Sequence, residues 1–391
     1  MSGRDPSEKH RTSTPLELLV DLTYVVAVAR AAVELRDALG VGHTGHALGS
    51  YCLVFFGLWW AWVNSTWFAS AYDTDDVPYR LLTLVQMVGV LVFSAGIPPA
   101  TQHNDFPVVI GGYVTMRMAL VTQVLRAAAG DPSDRQSLLR YSVSVTVIQL
   151  CWILWLYLPW PGRAGGLVLL VAAELGAVAW AQLTGPGLPW HPGHIADRYG
   201  QFTIIVFGEV ISAVASAANT AVTDKRASPG LLTIAASGLM LVFALWWSYF
   251  KHDAVREIKQ EIRESMREQF ARAVAHYVIF AAAALGAGLE VAIQPLTNGA
   301  RVSPVFAAFA MAIPVATTIV VLALLTARQA PGPSPVWLTM LTAVLLLAVA
   351  AATPLVTLPA ASLMMVVLVG LPLAYYLTKD GNPFAPRSPA S

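Results

Sequence analysis

VFFGLWWAWVNSTWFASAYDTDDVPYR, from Val54 to Arg80, opens as apolar helix and closes in acid. It crowds Trp59, Trp60, Trp62 and Trp67 together and then runs into Asp73, Asp75, Asp76 and Arg80. On a helix, steps of three and four put Trp62, Thr66, Ala69, Asp73, Asp76 and Arg80 on one face. An aromatic wall that leads into charge suits a helix crossing a bilayer and meeting its edge.

The rest of the chain repeats the apolar half of that pattern. Of 391 residues, 56% are hydrophobic and 12% charged, and 12 are tryptophan; mean hydropathy is +0.61. Soluble domains carry about 25% charged residues. Apolar runs close to the length of about 20 residues that spans a bilayer as helix recur at 16–39, 48–71, 81–99, 108–125, 138–158, 165–183, 202–218, 230–250, 274–293, 305–327, 337–355 and 359–377. The predicted fold is all-α, a polytopic integral membrane protein with about twelve transmembrane helices.

The first run holds Glu17, Asp21, Arg30 and Glu34, so it reads as a retained helix and not a cleaved signal. Lys and Arg gather in alternate connections, with Arg80, Arg126, Arg140, Arg198, Lys251 and Arg328 on one side against Arg163, Lys225, Arg226 and Arg301 on the other. The positive-inside rule then puts both termini in the cytoplasm and the chain in the cell membrane. Cys52 and Cys151 fall inside spans and are expected to be buried thiols. A net charge of +1 gives no reason to expect nucleic acid as a partner. The dense charge run from Lys251 to Arg272 reads as a solvated helix.

The chain is written twice. LELLVDLTYVVAVA followed by FFGLWWAWVNSTW in the first half answers to FTIIVFGEVISAVA followed by LVFALWWSYFKHD in the second. Asp21 and Glu209 correspond, and Arg11 stands before the one as Arg198 stands before the other. The expected organisation is a tail at 1–14, a six-span repeat at 15–185, a cytoplasmic linker at 186–200, a second six-span repeat at 201–378 and a disordered tail from 379. An even number of spans per half makes the repeats parallel, and solute sites in that architecture lie between the halves.

TPLELLVDLTYVVAVA, the WWAWVNSTWFASAYDTDDVPYR stretch with its continuation to Pro98, GYVTMRMALVTQVLRAA, WHPGHIADRYGQFTIIVFGEVI and ALWWSYF together resemble successive blocks of the bacterial low temperature requirement A (LtrA) family. The resemblance implies an integral membrane protein. This chain departs from the family at Leu19-Val20, where members look to have an aromatic pair, and at Asp197, where they carry Glu. Neither change removes a carboxylate, and both would retune a pocket.

Ionisable groups inside the bilayer cost a few kcal/mol each and normally face a bundle interior, a water cavity or an opposite charge. The candidates are Glu17, Asp21, Arg30, Glu34, Arg117, Glu174, Glu209 and Glu290. Arg30 and Glu34 can pair along one helix, whereas Asp21 and Glu209 have no base one turn away. Arg117 is the counter-ion expected for them. His191, His194 and Asp197 have metal-like spacing, but Pro192 and Gly193 interrupt it, which favours a structural or gating role. Trp152, Trp155, Trp160, Trp180 and Trp190 are expected in the interfacial belt, with some of Trp59 to Trp67 facing the interior.

Two functional readings follow. The first is transport or sensing of a small solute or ion through a buried carboxylate/arginine site between the repeats, needing no cofactor. Asp21, Glu209 and Arg117 form its core, Glu17, Arg198, Trp59 and Trp62 surround it, and Arg80 stands with Asp73 and Asp76 at its cytoplasmic mouth. The second is an intramembrane enzyme acting on an isoprenoid or lipid diphosphate. The Asp73-Thr-Asp75-Asp76 pattern resembles the acid motif of terpene cyclases, and membrane prenyltransferases of the UbiA type place acidic clusters comparably. Asp73, Asp75 and Asp76 would then be catalytic, with Asp73 and Asp76 holding Mg2+ and the tryptophans shielding a carbocation. The sequence holds no nucleotide loop, H-E-x-x-H or serine elbow, which turns the reading away from ATP-driven pumps and common hydrolases.

Overall fold

The computed structural model describes residues 12–41, 44–159, 162–183, 191–223, 228–251, 273–279, 283–297, 302–327 and 336–379. Their regular structure is helical. It comprises α1 Pro15–Gly40, α2 Thr44–Tyr72, α3 Val77–His103, α4 Pro107–Gly130, α5 Arg135–Trp155, α6 Gly162–Leu183, α7 Pro192–Thr223, α8 Pro229–Lys251, α9 Ala284–Thr297, α10 Pro304–Ala327, α11 Val336–Ala351 and α12 Leu358–Lys379, with a further helical stretch at 273–279. Among the described residues, nine helices are long and apolar enough to cross a membrane. The chain is an all-helical, polytopic membrane protein. The charge run at 252–272 and the tail from 380 lie outside the described residues, as do Arg11, Trp160 and Trp190.

The helices form two compact units. The first takes α1 to α6, the start of α7 up to Ile205, and the stretch at 273–277; the second takes α7 from Val206, then α8 to α12. Arg198 is therefore a residue of the first unit and Glu209 of the second.

The first helix buries a polar stripe and exposes an apolar face. Its buried stripe carries Glu17, Asp21, Tyr24, Val28, Ala31, Glu34 and Leu35, spaced by three and four, while Leu18, Leu19, Leu22 and Val26 are exposed. Apolar side chains can face lipid at no cost, but carboxylates must turn to protein partners. A capping box starts the helix. The Thr14 hydroxyl accepts from the Glu17 amide at 3.2 Å and the Glu17 carboxylate accepts from the Thr14 amide at 2.8 Å, with Pro15 at the first turn.

Close helix contact fixes the frame around it. A Cβ on Gly112 of α4 would meet the Phe93 nitrogen, and one on Gly96 of α3 would lie 2.5 Å from the Val109 nitrogen. Small residues let α3 and α4 approach backbone to backbone, the usual basis of helix association in lipid. The second unit uses the same device, since a Cβ on Gly288 of α9 would meet the Ala310 carbonyl of α10.

The tryptophans divide differently from expectation. Trp59, Trp60 and Trp62 are at most 2% exposed and line the interior. Trp152 and Trp155 are also buried, Trp152 with its indole nitrogen on Glu174 and Trp155 with its own on the Arg163 carbonyl at the start of α6. Trp180 is half exposed beside Arg140. Cys52 and Cys151, expected to be buried, are exposed on α2 and α5.

Candidate functional site

Two buried ionic clusters lie within the first unit, one on each side of α2. The first is made by α1 and the opening turns of α7. Ser70 near the end of α2 ties down the entry to α7, accepting from the His191 amide at 2.9 Å. The His191 ring then accepts from the His194 amide at 3.1 Å, so His191 acts as a helix-start residue. This brings His194 and Arg198, one turn apart, to face Glu17 and Asp21, also one turn apart.

Arg198 donates from Nη1 and Nη2 to the two Asp21 oxygens at 2.7 Å each, and Trp62 Nε1 donates to Asp21 Oδ1 at 2.9 Å. His194 Nε2 lies 3.0 Å from Glu17. All four ionisable groups are buried. Aromatic rings close the site, with Phe202 at 4.4 Å and Tyr199 at 5.4 Å from the Trp62 ring, and the guanidinium 5.8 Å over it. His194 Nδ1 and Arg198 Nε are buried with no hydrogen-bond partner among the described residues. The cluster keeps polar capacity to spare.

The second cluster centres on Glu174 of α6, fully buried in the bundle. Five donors from three other helices converge on its carboxylate. They are Trp60 Nε1 at 3.1 Å, Tyr113 Oη at 3.0 Å, Arg117 Nη2 at 3.1 Å, Gln149 Nε2 at 2.9 Å and Trp152 Nε1 at 3.3 Å. Arg117 is thus the partner of Glu174 and not of Asp21, as the sequence had suggested. Asp21 already has the two-pronged bond from Arg198, which satisfies it better than a single contact could. Nε and Nη1 of Arg117 and Oε1 of Gln149 are buried without a partner of good geometry among the described residues.

The acidic turn is a different kind of structure. Asp73 is buried and accepts from the Asp75 amide at 3.0 Å. Asp75, with φ at 49°, turns outward to a forked bond with Arg80 at 2.9 and 2.7 Å. Asp76 caps α3 by accepting from the Tyr79 amide at 2.8 Å, and takes Arg126 Nη2 at 2.8 Å on its other oxygen. Arg80 therefore pairs with Asp75, and Arg126 with Asp76. Hydrogen bonding from Arg126, then from the Tyr79 amide, holds Asp76 below the usual carboxylate range, and Arg80 does the same for Asp75. Each acid has its own partner. Among the described residues, no three His, Cys, Asp or Glu side chains are grouped to hold a metal ion. Trp62 lies 11 positions before Asp73 on a helical path, roughly 16 Å away along the axis.

Of the other expected site residues, Glu209 is partly buried in the second unit, where its Cγ would lie 3.4 Å from a Cβ on Gly286. Trp59 is buried against Tyr277, with ring centroids 5.1 Å apart. Sequence reasoning noticed Glu174 as a lone acid in an apolar run but gave it no role. That isolation was the same signal that singled out Asp21. Gln149 carried no comparable signal, and the spacing of His191, His194 and Asp197 marked His194 without pointing to Glu17 as its partner.

Fold and site together define a polytopic helical membrane protein that keeps arginine–carboxylate pairs buried inside its first unit. The family model described as Bacterial low temperature requirement A protein (LtrA) matches residues 12–372, and the chain belongs to that family. It is 25% identical over 284 residues to an uncharacterized protein of Rhizobium meliloti (strain 1021). That alignment covers 68% of this chain and 64% of the relative, so the chain spans less than two thirds of that relative's length. No solved structure matches.

Proposed function

We propose that this protein moves or senses a small solute or ion through the buried polar groups of its first unit, with Asp21 and Arg198 as the central pair. The observation that carries this reading is their placement. A paired charge inside a membrane helix bundle is costly, and apolar residues of similar volume would stabilise the bundle as well or better. Retaining it implies use. The unfilled donors and acceptors on Arg198 and His194 supply the second support, since an incoming group can bond there while Asp21 is still held.

In this reading Arg198 is a latch. A proton or cation that reaches Asp21 weakens the grip of the guanidinium, and Trp62, bonded to the same carboxylate, senses the change. Glu17 and His194 form the next station along α1, and Glu174 with Arg117 forms a separate station across α2. Glu209 is the acid of the second half that answers to Asp21. The wider frame of the proposal keeps twelve spans as two parallel six-helix repeats, both termini cytoplasmic and residence in the cell membrane. It places the central site inside the first unit instead of between the repeats. The isoprenoid reading would need converging carboxylates near Trp59 and Trp62. The acids at 73, 75 and 76 do not converge.

The test is flux in liposomes reconstituted with the full chain. Proton and monovalent-cation flux under an imposed gradient should be present in wild type, lost in Asp21→Asn, and little changed in Asp75→Asn. A wild-type flux that persists in both Asp21→Asn and Glu174→Gln would overturn the assignment. Mg2+-dependent turnover of an isoprenoid diphosphate that vanishes in Asp76→Asn would replace it with the enzyme reading.

A further inference from the structure

A cavity of about 460 Å³ lies at the end of the first unit remote from Asp76, walled by the last turns of α1, the first turns of α2 and the last turns of α3. Its volume falls within the range of about 300–1,000 Å³ typical of small-molecule sites, and its wall is mostly apolar with a few polar groups, as such sites are. Among the described residues the acidic and basic side chains on that wall are Glu34, Asp37 and His46. Arg30 and Arg36, which pair with the two acids at 2.6 and 2.8 Å, stand behind the wall and not on it. The surface offered to a ligand is therefore acidic.

Glu34 is the organising group. It is only 4% exposed, and its carboxylate is held from two helices. Oε1 accepts from Arg30, while Oε2 accepts from Gln102 Nε2 at 2.7 Å and lies 3.2 Å from the Thr101 hydroxyl. That hydroxyl has one proton and also faces the Ile97 and Pro98 carbonyls at 3.0 and 3.2 Å. A carboxylate has about four acceptor positions, so Glu34 retains room for another donor. Tyr51, Leu35 and Ile97 supply the apolar side of the cavity.

We propose that this cavity is a binding site for a small organic cation, an alkyl- or arylammonium whose nitrogen bonds Glu34 and whose apolar body lies against Tyr51, Leu35 and Ile97. A hard metal ion needs about six converging oxygen ligands, and among the described residues no three His, Cys, Asp or Glu side chains are grouped to hold one. An anion would meet two carboxylates. A neutral amphiphile would fill the space but leave the spare position on Glu34 unused. The Tyr51 ring adds attraction for a cation that has shed its water.

The test is titration calorimetry of the purified full chain in nanodiscs with 2-phenylethylammonium, and with 2-phenylethanol as the neutral counterpart. The cation should bind saturably at one site, at least about tenfold more tightly than the alcohol, and Glu34→Gln should weaken it by about tenfold or more. Ala38→Phe, which fills the cavity one turn from the acid and keeps its carboxylate, should abolish binding. If Glu34→Gln does not fold, Ala38→Phe decides. Asp21→Asn should leave this binding intact, which separates the proposal from the flux reading. No saturable binding, equal affinity for the alcohol, or wild-type affinity in Ala38→Phe would overturn it.

Discussion

Arg198 grips Asp21 with both terminal nitrogens at 2.7 Å, across 177 positions of sequence. The pair is sealed by Trp62 and buried on both sides. Removing either partner leaves the other charge stranded, a loss of about 3–5 kcal/mol. Asp21→Asn and Arg198→Gln should each lower the thermal unfolding midpoint in detergent strongly. The double variant should be less damaged than the sum, and strict additivity in that cycle would argue against direct coupling.

Glu174 satisfies five donors at once, so Glu174→Gln should disturb more than one helix. The neutral amide brings its own N–H groups toward groups that already donate. A change in the intrinsic fluorescence of Trp60 and Trp152 is expected, with reduced stability. Trp60→Phe removes one donor of the five and should cost only about 0.5–1.5 kcal/mol. A larger loss for Trp60→Phe than for Glu174→Gln would contradict the arrangement.

Gly111 and Gly112 are neighbours with opposite expectations. A Cβ on Gly112 would collide with the Phe93 backbone, whereas one on Gly111 meets nothing within 4 Å. Gly112→Ala should destabilise by at least about 1–3 kcal/mol, the usual cost of overpacking. Gly111→Ala should be near neutral. Equal unfolding midpoints for the two variants would show that α3 and α4 are not in backbone contact.

Acid should loosen the start of α3. Asp76 titrates below its ordinary value of 3.8 in the folded chain, because Arg126 and the Tyr79 amide favour the carboxylate. Its contribution is therefore complete above that ordinary value and fades as pH falls through the lower folded one. In Asp76→Asn the cap can persist while the Arg126 ion pair and its acid sensitivity are lost. Asp76→Ala should also lose the cap, at about 0.5–2 kcal/mol. Unfolding midpoints measured from pH 6 down to 2 would check this, and identical acid profiles for wild type and Asp76→Asn would refute it.

What the sequence made legible was each helix's own business. The apolar runs mark the spans, the spacing of Glu17, Asp21, Glu34 and Leu35 marks the inner face of α1, and the excess of tryptophan in α2 marks an interior wall. What it hid was the choice of neighbour. Arg117 and Arg198 look equally able to meet Asp21 on paper, and only packing decides that one faces α1 and the other α6. The same holds for Arg80, where the left-handed turn at Asp75 swings that acid toward it and leaves Asp76 to Arg126. Trp152 reads as a belt residue because a deep carboxylate partner on another helix leaves no mark in its own surroundings.

Trp60 and Trp62 stand two positions apart on α2, about 200° around its axis, and their indoles donate to Glu174 and Asp21 respectively. This sets the roll angle of the helix. The two rings leave the helix on nearly opposite sides, so a sideways shift of α2 that shortens one of these bonds lengthens the other, and the helix is clamped at two points. A displacement of α2 at one clamp would therefore strain the bond at the other.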